Sequence, residues 1–253
     1  MVMLNPVCEK LTSLRLHGML HAFQEQLHSS SYDELSFEDR VAVLVEREII
    51  ERENKALSSR LGRAKLRQEG DLEDIRPSAA RGLDKSTIKM LSQCEWIRSK
   101  RNLLITGPSG SGKTFIASAI ARKACLMGMS ARYFRATALA YELDNARTEG
   151  RLHRSIRAMA KYQLIVIDDF CLSAMSEAEE KDLFELIEDR HGNGTVILTS
   201  QNPVNLWHGL MPNPAIADAI LDRVVHGAVR LELKGESLRK TSSNLDHAQP
   251  MEQ

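Results

Sequence analysis

The residues of this chain best suited to chemistry lie together at positions 107–114, GPSGSGKT, in the spacing G-x-x-x-x-G-K-[ST]. Gly107, Gly110 and Gly112 let the backbone bend until successive N–H groups point inward, and Pro108, Ser109 and Ser111 complete the turn. A concavity of N–H donors at a helix start is a receptor for a polyphosphate. Lys113 follows as a cation able to reach β- and γ-phosphates. Thr114 offers a hydroxyl to Mg2+, which favours near-octahedral oxygen ligands. The pattern is specific where a strand precedes it and a helix follows. The apolar run NLLIT and the helical pattern of 112–127 meet both conditions, so the segment predicts a site for ATP with Mg2+ rather than a chance glycine turn.

A second set of candidates follows the apolar run Leu164 to Ile167, which ends abruptly in Asp168 and Asp169. A buried central strand delivers a carboxylate to the ligand-binding edge of an open sheet in this way. Asp168 is expected to hold the metal through water. Asp169 is placed to polarise an attacking water, although adjacent carboxylates also cap helices and an Asp reaches less far than a Glu. The run Thr195 to Leu198 ends in Thr199, Ser200 and Gln201, where a polar group would orient water or simply make a turn.

These groups need a scaffold, and the rhythm of the chain supplies one. From Asn102 onward short apolar runs (NLLIT, ARYF, QLIVID, TVILTS) alternate with helical patterns over 112–127, 137–161 and 177–190, which predicts a parallel sheet covered on both faces. Before residue 93 the pattern is helical. Leu16, Leu20, Phe23 and Leu27 mark one apolar face, and Phe37, Val41, Leu44 and Val45 another. Ser36 and Asp39 resemble a capping box that opens a long helix toward Leu61, and Asp84 caps a further helix. Gly62, Gly70, Pro77 and Gly82 interrupt the rhythm, which puts a domain boundary near 68–83. The resulting division is a helical domain over 1–75, an ATPase domain over 76–240 that holds the phosphate loop and the acidic pair, and a polar, disordered tail over 241–253.

Composition narrows the function. Among 253 residues, 34 Lys and Arg balance 34 Asp and Glu, so nucleic acid could be held only by local basic patches. No window is apolar enough to span a membrane and the first residues lack a secretory pattern, so a cytoplasmic protein is expected. Cys8, Cys94, Cys125 and Cys171 have no C-x-x-C spacing and read as buried free thiols. His17 and His21 share helical spacing without a third ligand, which favours packing over metal binding.

The motifs GPSGSGKT, LIVIDDF, ILTSQNP, AILDR and LKGESLRK, in this order, resemble the IstB-like transposition helper ATPases of bacterial insertion sequences. That family is of the AAA+ class and related to DnaC and DnaA. The resemblance implies an α/β fold with a five-stranded parallel sheet in the order 5-1-4-3-2, preceded by a smaller all-helical domain. It further implies a homo-oligomer on DNA, ATP between neighbouring copies, and a partner transposase. A DnaC-like helicase loader, or an ATP-gated DNA-binding oligomer with little hydrolysis, is the alternative. By the same resemblance Lys113 and Thr114 match the phosphate-loop pair, Asp168 and Asp169 the acidic pair, and Thr199 and Ser200 the sensor strand. Arg223 in AILDR matches an arginine finger that enters the neighbour's site. Read from the sequence alone, Arg223 could equally pair with Asp222 or Asp218. Arg239 resembles a second sensor arginine, but little chain follows it to build a helical lid.

Arg151, Arg154, Arg157 and Lys161 recur at spacings of 3, 3 and 4, and Arg147 joins them within an arc of roughly 120° at about 100° per residue. Leu152, Ile156 and Met159 lie opposite. A basic helix face is usually a solvated face. Here it carries no acidic residue from Arg151 to Lys161, and DnaA-like relatives run DNA past this part of the fold, so it is a candidate for binding DNA phosphates. Arg60, Arg63, Lys65 and Arg67 form a second cluster that would either bind DNA or solvate a helix end.

Overall fold

Each apolar run predicted as a strand pairs with another through its backbone. The computed structural model describes residues 6–235 and contains β1 (Leu103–Thr106), β2 (Ala131–Arg135), β3 (Leu164–Asp168), β4 (Thr195–Ser200) and β5 (Val229–Glu232). They form one sheet in the order β2-β3-β4-β1-β5, with every neighbouring pair parallel. β3 and β4 are buried along their whole length, as expected of strands covered on both faces.

The helices are α1 (Pro6–Ser13), α2 (His17–His28), α3 (Phe37–Ala64), α4 (Lys85–Gln93), α5 (Glu95–Arg98), α6 (Lys113–Leu126), α7 (Ala136–Thr148), α8 (Leu152–Ala160), α9 (Glu177–Arg190) and α10 (Pro214–Val225). α6 packs across β1 to β4. Leu104, Ile165, Ile167, Val196 and Leu198 join the core that includes Leu139 of α7, Ile156 of α8, Leu186 of α9 and Ile220 of α10. Phe170 meets Trp207 edge-on at 4.9 Å in that core. The helix starts follow from their caps. Asn213 accepts from the amides of Ala215 and Ile216 ahead of Pro214, and Ser176 with Glu179 forms a capping box before α9.

The chain divides into two compact units, Met1–Ser59 and Arg60–Gln253, so the second begins earlier than the boundary expected at 68–83. Residues 60–75 are tied within it: Arg60 Nε donates to the Cys125 carbonyl, Arg122 pairs with Asp71 and Lys123 with Glu73. Gly62 does not break α3, because a glycine inside a helix costs only about 1 kcal/mol and the helix runs on to Ala64. In the first unit α2 and α3 approach so closely that a Cβ on Gly18 would lie 2.5 Å from the Arg47 carbonyl oxygen. Glu48 of α3 accepts from the Gly18 and Met19 amides at 2.8 and 3.2 Å, capping the start of α2. Phe37, Val41 and Val45 of α3 are exposed rather than packed, and so are His17 and His21 of α2. Ser36 caps α3, although Asp39 returns a carboxylate to the Ser36 hydroxyl instead of to its amide.

The predicted helix over 137–161 is two helices. Gly150 adopts a left-handed φ of +68°, which ends α7 and starts α8 in a new direction, so Arg147 and Arg151 do not share one helical wheel with Arg154.

Candidate nucleotide site

The loop 107–112 joins the carboxyl end of β1 to the first turn of α6. Gly107 has a φ of +148°, and a Cβ there would sit 2.5 Å from the Leu233 carbonyl oxygen, so no larger residue fits this approach. Gly112, with φ of +94°, turns the chain into α6. The loop is braced from outside by Arg81, whose Nη2 donates to the Ser111 carbonyl at 2.7 Å. Lys113 is buried, and its ammonium donates to the carbonyls of Gly107 and Pro108 at 2.8 and 2.9 Å. Burial lowers its pKa, against the raising effect of the Asp169 and Asp168 charges.

Asp168 ends β3 at 1% exposure and is held by three hydroxyls. Thr114 Oγ1 donates to it at 2.9 Å, Tyr133 OH at 2.5 Å, and Thr199 Oγ1 over a shorter contact. Burial and the bond to Asp168 raise the Tyr133 phenol above its ordinary value, so it remains a donor. Thr199 serves both aspartates, because its hydroxyl also accepts from the Asp169 amide at 3.1 Å. Asp169 itself has a φ of +60°, a costly conformation for a residue with a Cβ, and pairs with Arg135 at 3.2 Å.

A cleft of about 390 Å³ joins these groups: the phosphate loop, Lys113, Thr114, Asp168 and Asp169 line it together with Arg67, Gln68, Arg135 and Gln201. Ser109 and Gly110 are in its wall, whereas Ser111 is buried with an unpartnered hydroxyl. The oxygen-only donor set of Thr114 and Asp168 fits Mg2+, which takes a few protein ligands and keeps waters and phosphates for the rest. Among the described residues no three His, Cys, Asp or Glu side chains gather into a metal cluster. The four cysteines are buried and free.

Of the strand-end candidates, Thr199 faces the aspartates and Gln201 faces the cleft. Ser200 turns away: its hydroxyl donates to the Phe170 carbonyl at 2.6 Å and accepts from the Asn202 amide. Arg223 lies elsewhere in the fold. Its Nη2 pairs with Glu188 at 2.5 Å, Nη1 donates to the Ala219 carbonyl, and the guanidinium stacks over Phe184, so neither Asp222 nor Asp218 is its partner. Arg239 lies outside the described residues.

The basic stripe is divided by its bonds. Arg147 is committed to the buried carboxylate of Asp182 and to Asp144, and Arg151 to Glu149. Arg154, Arg157 and Lys161 are exposed and have no ion pair among the described residues. Of the second cluster, Arg67 reaches the phosphate cleft and Arg60 is bonded to a backbone carbonyl. Sequence reading missed Arg135, Tyr133 and the role of Arg67. Arg135 was within reach, because the run ARYFR ends at the same sheet edge as LIVID, and the parallel register sets Arg135 beside Asp168.

Comparison with known proteins agrees with this geometry. The chain is 41% identical over 236 residues to an insertion sequence ATP-binding protein of Sinorhizobium fredii, covering 93% of this chain and 96% of that one. Its fold is similar to AMPPCP-bound DnaA from Aquifex aeolicus, with a TM-score of 0.57 at 15% identity over 74% of this chain and 58% of that one. It is similar also to the DnaC helicase loader, with a TM-score of 0.51 at 18% identity over 65% of this chain and 96% of that one. The sheet order, with helices on both faces and the phosphate loop after β1, is that of an AAA+ P-loop fold. With the model of the IstB-like ATP binding protein family matching residues 9–245, this chain belongs to that family of insertion-sequence ATP-binding proteins.

Proposed function

We propose that this protein hydrolyses ATP and uses the nucleotide to control its own assembly on target DNA, which it passes to a partner transposase. The observation that carries the reading is the hydroxyl-linked chain Thr114, Asp168, Thr199 and Asp169 beside Lys113 at one end of the sheet. It combines a cation for terminal phosphates, oxygen ligands for a metal and a second carboxylate.

Lys113 and the loop amides would bind the phosphates, and Thr114 with Asp168 would hold Mg2+. When bound, that ion neutralises charge on the β- and γ-phosphates. Asp169, at 24% exposure, faces the cleft and would accept a proton from the attacking water, with Arg135 setting its position. Thr199 fixes the aspartates relative to one another. Arg223 points away from this cleft, which suits a role at the nucleotide of a neighbouring copy. The first unit, Met1–Ser59, is assigned to DNA or partner contact, and the second, which begins at Arg60 and carries the phosphate cleft, to the ATPase. DNA phosphates are met by Arg154, Arg157 and Lys161. Among the described residues no helix is long and apolar enough to cross a membrane. The site of action is the cytoplasm, where the DNA is.

The test is Mg2+-dependent phosphate release. Lys113→Ala should abolish nucleotide binding or turnover. Asp168→Asn should lower turnover at least about a hundredfold while nucleotide binding persists, since the amide cradle is intact. Wild-type rates in either variant would sink the assignment.

A further inference from the structure

We propose that a second pocket, at the opposite edge of the sheet from the phosphate loop, binds the dianionic end of a phosphate chain. A cavity of about 290 Å³ opens there, with Asn102 just before β1, Val196 near the start of β4, and the carboxyl ends of α9 and α10 in its walls. Lys100, Arg101, Arg190, His191, Arg223 and His226 line it, and among the described residues no carboxylate does.

Arg190 is the most telling of these. It is 2% exposed, yet among the described residues no carboxylate forms an ion pair with it. Nη1 donates to the Tyr162 and Met159 carbonyls at 2.9 and 3.4 Å and Nη2 to the Thr195 and Gln163 carbonyls at 2.7 and 3.3 Å, while Nε has no hydrogen-bond partner among the described residues. A Cβ on Gly194 would lie 2.4 Å from Nη2, so the glycine is what admits the guanidinium. Burial pulls the Arg190 pKa down to about 10, against the raising effect of the neighbouring Asp189 charge. An anion entering the cavity would add a further counter-charge.

The mouth is equally cationic. Lys100 is exposed, adopts a left-handed φ of +55°, and makes no ion pair among the described residues. Arg101 spends only Nε on the Gly227 carbonyl, at 3.0 Å. Arg223, bonded to Glu188, stands in the wall. Lys100, Arg101 and Arg190, none of which is ion-paired with a carboxylate among the described residues, suit a doubly charged terminus better than a singly charged diester.

Because Arg223 lines this pocket, the inference deepens the assembly reading and rests on it: Lys100 and Arg101 become further residues that meet the terminal phosphates of a nucleotide held by a second copy. Pyrophosphate is the probe, titrated calorimetrically at low salt into the full chain and its variants. The wild type should bind two equivalents. Lys113→Ala should leave one, and Lys100→Gln with Arg101→Gln should leave the other, the affected site weakening about tenfold or more. All three substitutions together should leave none.

Loss of both equivalents in Lys113→Ala, or two unchanged equivalents in the Lys100/Arg101 variant, would overturn the pocket. If Lys113→Ala retained two equivalents, the phosphate-loop assignment would fail while the pocket stood, provided that the Lys100/Arg101 variant still lost one. Should the double variant melt early, Lys100→Gln alone, at an exposed side chain, is expected to weaken the second site measurably. Displacement of pyrophosphate from the Lys113→Ala protein by a short DNA duplex would make the occupant a phosphodiester and overturn the nucleotide-end assignment.

Discussion

Asp168 sits among hydroxyls, with Thr114, Tyr133 and Thr199 each turning a proton toward it. Hydroxyls satisfy a buried carboxylate without neutralising it, which leaves its charge for a metal. Tyr133→Phe should therefore cost about 1.5–3 kcal/mol in a urea titration, because it strips a donor from a buried ion. The pH dependence has a definite sign. Folding raises the Tyr133 pKa above the unfolded value of about 10, so its contribution is whole below that pH and is lost as pH rises further. In Tyr133→Phe the alkaline decline in stability should be shallower than in the wild type, and coincident alkaline limbs would refute the account. Thr199→Val should be worse than Tyr133→Phe in both stability and turnover, since it also orphans the Asp169 amide.

Two elements show how local chemistry sets larger geometry. In the first unit Glu48 of α3 caps α2. Although desolvation by burial acts to raise its pKa, the bonds from Arg52, Met19 and Gly18 together lower it. A lowered folded pKa means that the stabilisation is present above the ordinary Glu value of about 4.3 and is lost as pH falls below it. Glu48→Gln should reduce the acid sensitivity of this unit's helical signal while lowering its stability at neutral pH, as read by circular dichroism. The α7–α8 break changes the DNA prediction. Arg154→Gln, Arg157→Gln and Lys161→Gln together should weaken binding to unrelated duplexes and flatten the salt slope by up to about 0.9 per lost contact. Arg147→Gln should instead lower stability, having stranded the buried Asp182 carboxylate. Equal salt slopes for the triple variant and the wild type would return α8 to a merely solvated face.

At the scale of the whole molecule, the phosphate cleft is at the carboxyl edge of the sheet and Arg223 borders a cavity at the other edge. One copy cannot close both on a single nucleotide, so the proposed chemistry requires neighbours. Arg223→Ala should bind ATP with near-normal affinity and hydrolyse it poorly. Mixed with Lys113→Ala, it should recover activity, because some interfaces then join an intact phosphate loop to an intact Arg223. Absence of rescue at every mixing ratio would exclude action between copies.

The phosphate loop, the acidic pair and four of the five strands were legible in the sequence because each depends on near neighbours: glycine spacing, an apolar run ending in carboxylates, a change of period; the fifth strand, Val229–Glu232, was implied by the family resemblance alone. Residues whose roles depend on distant partners were not. Nothing near Ser200 in sequence says that its hydroxyl is taken by the Phe170 carbonyl, or that Glu188 and not Asp222 receives Arg223. The helical wheel over 147–161 assumed a continuous axis, and the left-handed Gly150 removes it. Cations are the extreme case. Arg147, Arg190 and Arg154 look alike as letters, yet one is spent on a buried carboxylate, one is buried among carbonyls and one is free in solvent. Pairing and burial decide what a charge can do, and both are properties of the packed chain.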